Sequence, residues 1–234
     1  GYPVPPVSNA NYAWILHMLS KLDVNHGVAG FLLANGALNA DGDEAAIRQK
    51  ILENDKVEAI IVLPRDMFYT TDISVTLWIL NMNKEAGEKT GRKLRDRRGE
   101  VLFIDLRTWN ENIEKYTYDK NKNKKKTVLT PEQIARVKDI FESWRCVDGG
   151  YEDVPELCKS VHIKGDDSDQ ITIESRGYAL TPSKYIEFID HDLGIDYEKE
   201  MGRIQAEMKE LLVTEKKSQA MLEAAFEGIG YGID

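Results

Sequence analysis

The sequence predicts an α/β fold: part of a sheet with helices on its faces, the last strand of that part antiparallel, followed by a helical C-terminal extension. Two observations carry the sheet. Residues 57–63 (VEAIIVL) and 73–80 (ISVTLWIL) are apolar runs of strand length, rich in β-branched and aromatic residues, as in strands buried on both faces. Ahead of them, helical and strand-like stretches alternate through short loops, which is the order of a parallel sheet covered by helices. A third observation carries the extension: over residues 197–211, Tyr197, Met201, Ile204, Met208 and Leu211 recur at coiled-coil spacing.

In chain order, Pro3, Pro5 and Pro6 keep the start extended. Ser8 or Asn9 can cap a helix whose buried face is Tyr12, Ile15, Leu16, Leu19 and Leu22, widened by Trp14 and Met18. Asn25-His26-Gly27 turns the chain into residues 28–34 (VAGFLLA), read as a central strand. Asp43 is the expected cap of a helix over residues 44–53, with Ala46, Ile47, Ile51 and Leu52 inward. The two apolar strands follow. The second cannot make a parallel crossover without an intervening helix, so it should lie antiparallel to the first. Three short strands and two helices leave a sheet edge open, so the missing half is expected upstream or from another chain.

Between the two strands, residues 64–72 form a loop too long for a tight hairpin, carrying Phe68 and Tyr69 behind Pro64. A loop held by core strands is a usual place for a binding site, although aromatics near strand ends more often plug the core. Residues 83–100 read as a charged linker with Arg92, Lys93, Arg95, Arg97 and Arg98 clustered, and residues 101–106 (VLFIDL) as a fourth strand. Residues 110–126 are polar and lysine-rich, and poor order is expected there. Thr130-Pro131 starts a helix with Ile134, Val137, Ile140, Phe141 and Trp144 on one face. Residues 157–163 give a short strand, and LTPSKY at 180–185 a turn or short helix. Asp196 caps the long final helix, whose apolar seam is interrupted by Glu215 and Ser218 and resumes at Leu222. Such a seam can pack on a partner helix or on its own domain.

Charge is unevenly distributed along the 234 residues, whose formal net charge is −9. Residues 84–126 hold 14 basic against 8 acidic residues, whereas residues 127–234 hold 12 against 23. A basic middle in an acidic chain suits either a polyanion or a solvated loop. With 42% hydrophobic and 30% charged residues the composition is that of a soluble globular protein, and no apolar run approaches the ~20 residues needed to span a bilayer. Cys146 and Cys158 lack metal-site spacing, and His17, His26, His162 and His191 are scattered, so no metal is expected and reduced cytoplasmic thiols are. The pair Asp166-Asp167 sits in a polar stretch and reads as solvated. No glycine-rich phosphate loop and no catalytic triad can be argued from spacing.

Four consecutive blocks, PPVSNANYAWILHMLSKL, GVAGFLLANGAL, IRQKILENDKVEAIIVLPRDMFYTTDISVTLWIL and RGEVLFIDLR, together with the later GYALTPSKYI, resemble the modification subunit of type I restriction–modification systems. The resemblance implies an adenine-specific DNA methyltransferase with a Rossmann-like fold. It also implies S-adenosylmethionine as methyl donor, specificity and restriction subunits as partners, and double-stranded DNA bound through the complex in the cytoplasm. The family's glycine-rich donor loop and Asn-Pro-Pro motif do not occur in this sequence; Val4-Pro5-Pro6 is not that motif. The expectation is therefore a C-terminal part of such a subunit, inactive and without donor when alone. The alternative is a non-catalytic module that docks a partner through its last helix. Residues 1–107 would be the second half of the methyltransferase domain, 108–129 a flexible lysine-rich linker, and 130–234 a mainly helical docking tail. Such enzymes flip the target base and stack it on aromatics. The resemblance assigns that stacking to Phe68, beside Pro64 and Tyr69. Arg65-Asp66 departs from the small or amide residues usual there. Arg92, Lys93, Arg95, Arg97 and Arg98 become candidates for the DNA backbone, and Met201, Ile204, Met208, Leu211 and Leu222 for partner docking.

Overall fold

The computed structural model describes residues 1–68, 71–89, 91–119, 122–165, 171–189 and 196–231. Tyr69, Asp166, Asp167 and His191 therefore lie outside the described residues. The chain divides into two compact units, Gly1–Phe188 and Ile189–Asp234.

In the first unit, α1 (Asn11–Lys21) leads into β1 (Val28–Ala34), α2 (Asp43–Glu53), β2 (Val57–Val62) and β3 (Val75–Asn81). Two short strands, β4 (Gly87–Lys89) and β5 (Arg92–Leu94), precede β6 (Glu100–Asp105). A second hairpin, β7 (Ile113–Asp119) and β8 (Lys122–Thr127), precedes α3 (Pro131–Arg145) and β9 (Cys158–His162). The second unit holds α4 (Tyr197–Gly228).

The main sheet has the order β1-β3-β2-β6-β9. Its centre is the one parallel pair, β2 with β6, and every residue of β2 is buried. β2 is one of the two runs expected to be buried on both faces; the other, β3, is corrected, since its residues alternate between buried and half-buried, and the fourth strand β6 takes the second central place. β3 lies antiparallel to β2, as chain connectivity requires, and also to β1. Alternation of side chains sends Val57, Ile60, Val62, Val101 and Phe103 to one face, under α1 and α2. Ala59, Ile61, Leu102 and Ile104 go to the other, where α3 delivers Trp144.

Several expectations are corrected. β1 is an edge strand among the described residues, with Val28 and Leu32 each 44% exposed. A short apolar run does not reveal how many neighbours it has. Trp14 is 60% exposed, because the face of α1 that packs on the core is Tyr12, Ile15 and Leu19, with Leu16 at its margin. On α2, Ala46 is exposed and Glu44 and Arg48 are buried instead. Arg48 donates through Nε to Tyr178 O (2.7 Å) and through Nη1 to Ala40 O (2.7 Å), which makes a buried guanidinium tolerable. The helix begins at Asp43, one residue early, after Gly42 in a left-handed conformation (φ 63°).

Among the described residues each of the two basic stretches contains an antiparallel pair of strands. The charged linker at 83–100 contains β4 and β5, and the lysine-rich stretch contains β7 and β8, in which Tyr116, Thr117 and Tyr118 are good strand formers despite the polar composition. Residues 130–188, read as part of a tail, belong to the body. β9 closes the sheet edge beyond β6, and Ile173, Leu180, Tyr185 and Ile186 fill the core under α2.

Other local readings hold. Thr130 and Gln133 form a reciprocal capping box on α3, and Asp196 accepts from Lys199 N at 3.2 Å to cap α4. Tyr12 sits edge-on to Trp78 and donates to Ala37 O at 2.6 Å, and burial pushes its hydroxyl up to about 12. Among the described residues no helix is long and apolar enough to cross a membrane.

Candidate functional site

β1, β2 and β6 run in one direction, so their carboxyl ends meet at one edge of the sheet. In open α/β sheets the ligand crevice lies outside that edge. Three groups of residues meet there.

The first is the loop after β2. Leu63 N donates to Val75 O (2.9 Å) and Ser74 Oγ to Leu63 O (2.6 Å), which clamps the base of the loop. Asp66 takes a left-handed φ of 60°, and Phe68 makes an isolated bridge to Thr71. Phe68 is half-buried and borders an apolar depression of about 320 Å³ with Leu32, Leu33, Ala34, Thr71 and Val75. It is thus on the surface at the carboxyl edge, not sealed in the core. Pro64 is buried beneath the loop.

The second is a polar cluster that sequence reasoning missed. Thr76 Oγ1 donates to Asn35 Oδ1 (2.7 Å), and Asn35 Nδ2 donates to Ser74 Oγ (3.3 Å). It pins the end of β1 to the start of β3, beside the depression. No spacing signal links residues 35, 74 and 76; only the antiparallel register does.

The third is at the end of β6. Asp105 accepts from Arg107 Nε (2.9 Å) and Nη2 (2.6 Å), and this pairing raises the Arg107 guanidinium further above its ordinary value. Asp105 is therefore engaged by its neighbour. Close by, Thr127 N at the foot of the β7–β8 hairpin donates to Asp66 O (2.8 Å). Among the described residues no three His, Cys, Asp or Glu side chains gather into a metal site.

The arginine cluster lies at the opposite, amino end of the strands, just ahead of β6. Arg97 is 1% exposed and paired with Glu58, which is equally buried. Arg95 grips Glu100 with two hydrogen bonds (3.0 and 2.8 Å) and lies over the Trp144 ring at 5.0 Å. Arg98 is paired with Asp96, whose carboxyl it draws down to about 2, and Arg92 is paired with Glu142. Lys93 is exposed. Beside them, Lys84 is buried with its ammonium on Val57 O (3.1 Å), Glu100 O (2.6 Å) and Asp55; burial lowers its pKa against the pull of Asp55. Arg95 and Arg97 hold the fold together, so the reading of the whole cluster as a DNA-facing surface is corrected for these two.

On α4, Met201, Ile204, Met208, Leu211 and Leu222 are all exposed.

Comparison with known proteins gives a consistent result. The N-6 DNA methylase family matches residues 1–192. The type I restriction enzyme MjaIX methylase subunit of Methanocaldococcus jannaschii is 34% identical over 98% of this chain and 37% of its own length. The HindI methylase subunit of Haemophilus influenzae is 32% identical over 98% of this chain and 46% of its own length. The chain thus spans under half the length of these relatives. In fold it is similar to the methyltransferase subunit of a type I restriction–modification system from Streptococcus thermophilus, with a TM-score of 0.58 and 23% identity over 80% of this chain and 32% of that one. With the family matched over most of its length, the chain belongs to the N-6 DNA methylase family.

Proposed function

We propose that this chain forms the target-base side and the docking helix of an adenine-specific DNA methyltransferase subunit. That subunit would act in the cytoplasm within a type I restriction–modification complex of specificity and restriction subunits on double-stranded DNA. The observation that carries the proposal is the placement of Phe68 at the carboxyl edge of the sheet, half-buried beside an apolar depression. An extruded base has a π-face and needs an apolar partner to replace the stacking it loses. Phe68 offers that partner. The Asn35–Ser74–Thr76 hydrogen bonds tie the end of β1 to the start of β3 beside the depression, which supports the strand ends that border it.

The methyl donor of this family would be S-adenosylmethionine. The described residues at this edge do not fit it: the depression is apolar apart from Thr71, Asp105 is held by Arg107, and the sequence has no glycine-rich loop or Asn-Pro-Pro motif. We therefore assign to these 234 residues base stacking and docking, and neither donor binding nor methyl transfer when they stand alone. Docking is supported by the exposed seam of α4, for which the specificity subunit is the proposed partner.

The test is Phe68→Ala in the full-length subunit, with a fluorescent base analogue at the target position. Loss of stacking worth ~1–3 kcal/mol should lower the flipped population and methylation about ten- to a hundredfold. Unchanged fluorescence and kinetics would return Phe68 to a packing role. In parallel, calorimetry of the 234-residue chain with S-adenosylmethionine should give no saturable heat, and micromolar binding would overturn the division of labour.

A further inference from the structure

The basic residues of the middle segment fall into two groups with different fates. The arginines at 92–98 sit at the amino end of the sheet, and Arg92, Arg95, Arg97 and Arg98 are each paired with a carboxylate. The strands β7 and β8, whose sequence carries the lysines, are joined to the other end of the sheet, where Phe68 lies, by Thr127 N donating to Asp66 O. We propose that this hairpin is a phosphate-backbone contact for duplex DNA, placed beside the Phe68 loop; the proposal rests on the DNA methyltransferase reading above.

The attachment of the hairpin is built. Thr127, buried at its foot, donates its N–H to Asp66 O in the Phe68 loop at 2.8 Å. Across the base, Val128 N donates to Asn112 O (3.0 Å) and Asn112 Nδ2 to Val128 O (3.2 Å). The connection to β6 is braced by Arg136 of α3, whose guanidinium lies 5.7 Å from the centre of the Trp109 ring. Two chain segments that would bracket a DNA strand, the aromatic loop and the basic hairpin, are thus tied by a direct backbone hydrogen bond.

The charge pattern of the hairpin is only partly explained by folding. In the register Lys115 faces Lys125, and both are exposed. Like charges directly opposite on antiparallel strands destabilise the pair, and a two-stranded ribbon is marginal to begin with. Glu114 faces Lys126 and Asp119 faces Lys122, so those two pairs favour the ribbon, while Lys124 and Lys125 of β8 face no acidic residue. The Lys115–Lys125 pair, and the excess of lysine on β8, are relieved by a polyanion, and the polyanion that the Phe68 loop addresses is DNA. Contacts of this kind position the duplex without reading its sequence.

The experiment is fluorescence anisotropy of the 234-residue chain with a short labelled duplex of arbitrary sequence, titrated over a range of salt. Three variants are compared with the parent: Lys115→Gln/Lys122→Gln/Lys124→Gln/Lys125→Gln, the same four positions changed to arginine, and Arg92→Gln/Lys93→Gln. For the glutamine variant the slope of log K against log salt should become shallower by ~0.9 for each phosphate that is no longer neutralised, with affinity at low salt reduced roughly tenfold or more. The arginine variant, which keeps the charge, should bind like the parent, and Arg92→Gln/Lys93→Gln should leave the slope nearly unchanged. An unchanged slope in the glutamine variant, or a loss confined to Arg92→Gln/Lys93→Gln, would overturn the proposal. So would tighter binding of single-stranded RNA than of duplex DNA through the same lysines. Salt slope and base-analogue fluorescence move independently. A failed hairpin with an intact Phe68 effect refutes only the hairpin, and the converse refutes only the base-stacking assignment.

Discussion

Replacing Glu58 by alanine tests the claim that the arginine cluster serves the fold. Glu58 is 1% exposed and accepts from Asn81 Nδ2 at 2.7 Å and from Arg97 Nε at 3.1 Å. Arg145 Nε lies 3.3 Å from the same carboxylate without the alignment of a hydrogen bond. Alanine leaves the Arg97 guanidinium buried, with only Nη1 satisfied by Arg95 O (2.6 Å). Removing one member of a buried ion pair costs about 3–5 kcal/mol, because the remaining charge is desolvated and unpaired. Against a domain stability of about 5–15 kcal/mol, that is a large fraction. The pair itself contributes less than this figure suggests, so Glu58→Leu combined with Arg97→Leu should be less destabilising than Glu58→Ala alone. Urea unfolding followed by the fluorescence of the buried Trp78 and Trp144 reads both variants. A loss below about 1 kcal/mol for Glu58→Ala, or a double variant no more stable than the single one, would refute the buried-pair argument. A corollary concerns mapping of DNA contacts: Arg97→Gln should weaken DNA binding only in proportion to the unfolded fraction, and the salt slope of the folded protein should not change.

The helix α4 and the acid limb of stability give further expectations. Ile204→Asp with Leu211→Asp, both positions exposed, should abolish co-purification with the specificity subunit while circular dichroism stays that of the folded parent. Retained binding by the folded double variant would show that the seam does not dock. Glu215 and Ser218 interrupt that seam, so the chain should sediment as a monomer; a stable homodimer lost in the same double variant would contradict the mixed-bundle reading. Burial alone would raise the Glu100 carboxyl, but the Arg95 hydrogen bonds and charge, with help from Ser160, hold it below its ordinary 4.5. A carboxyl lowered in the folded state stabilises above the unfolded value, and that contribution is lost as pH falls through the folded value. Glu100→Gln should therefore flatten the loss of thermal stability below pH ~4.5 without altering its shape near neutrality; an identical acid limb would argue against the Arg95 pairing.

Much of this architecture follows from local sequence. Residues 59–62 and 101–104 are core strands because apolar runs of strand type are placed between two layers. The Thr130 and Asp196 caps are legible because a helix start is satisfied by residues within three positions of it. The position of Phe68 on a loop between β2 and β3 is likewise a local fact. Other features are set by partners far away in sequence. Whether 28–34 is central or at the edge depends on which strand lies beside it, and that is not written in VAGFLLA. Arg97 and Lys93 look alike as members of one basic run; only the approach of Glu58, 39 residues earlier, buries the first and leaves the second in water. The Asn35–Ser74–Thr76 cluster and the Thr127–Asp66 bond exist because strand pairing carries distant segments to one edge. Short-range propensity specifies the elements, whereas burial and pairing of charge depend on the register in which those elements meet, and register is a property of the assembled sheet.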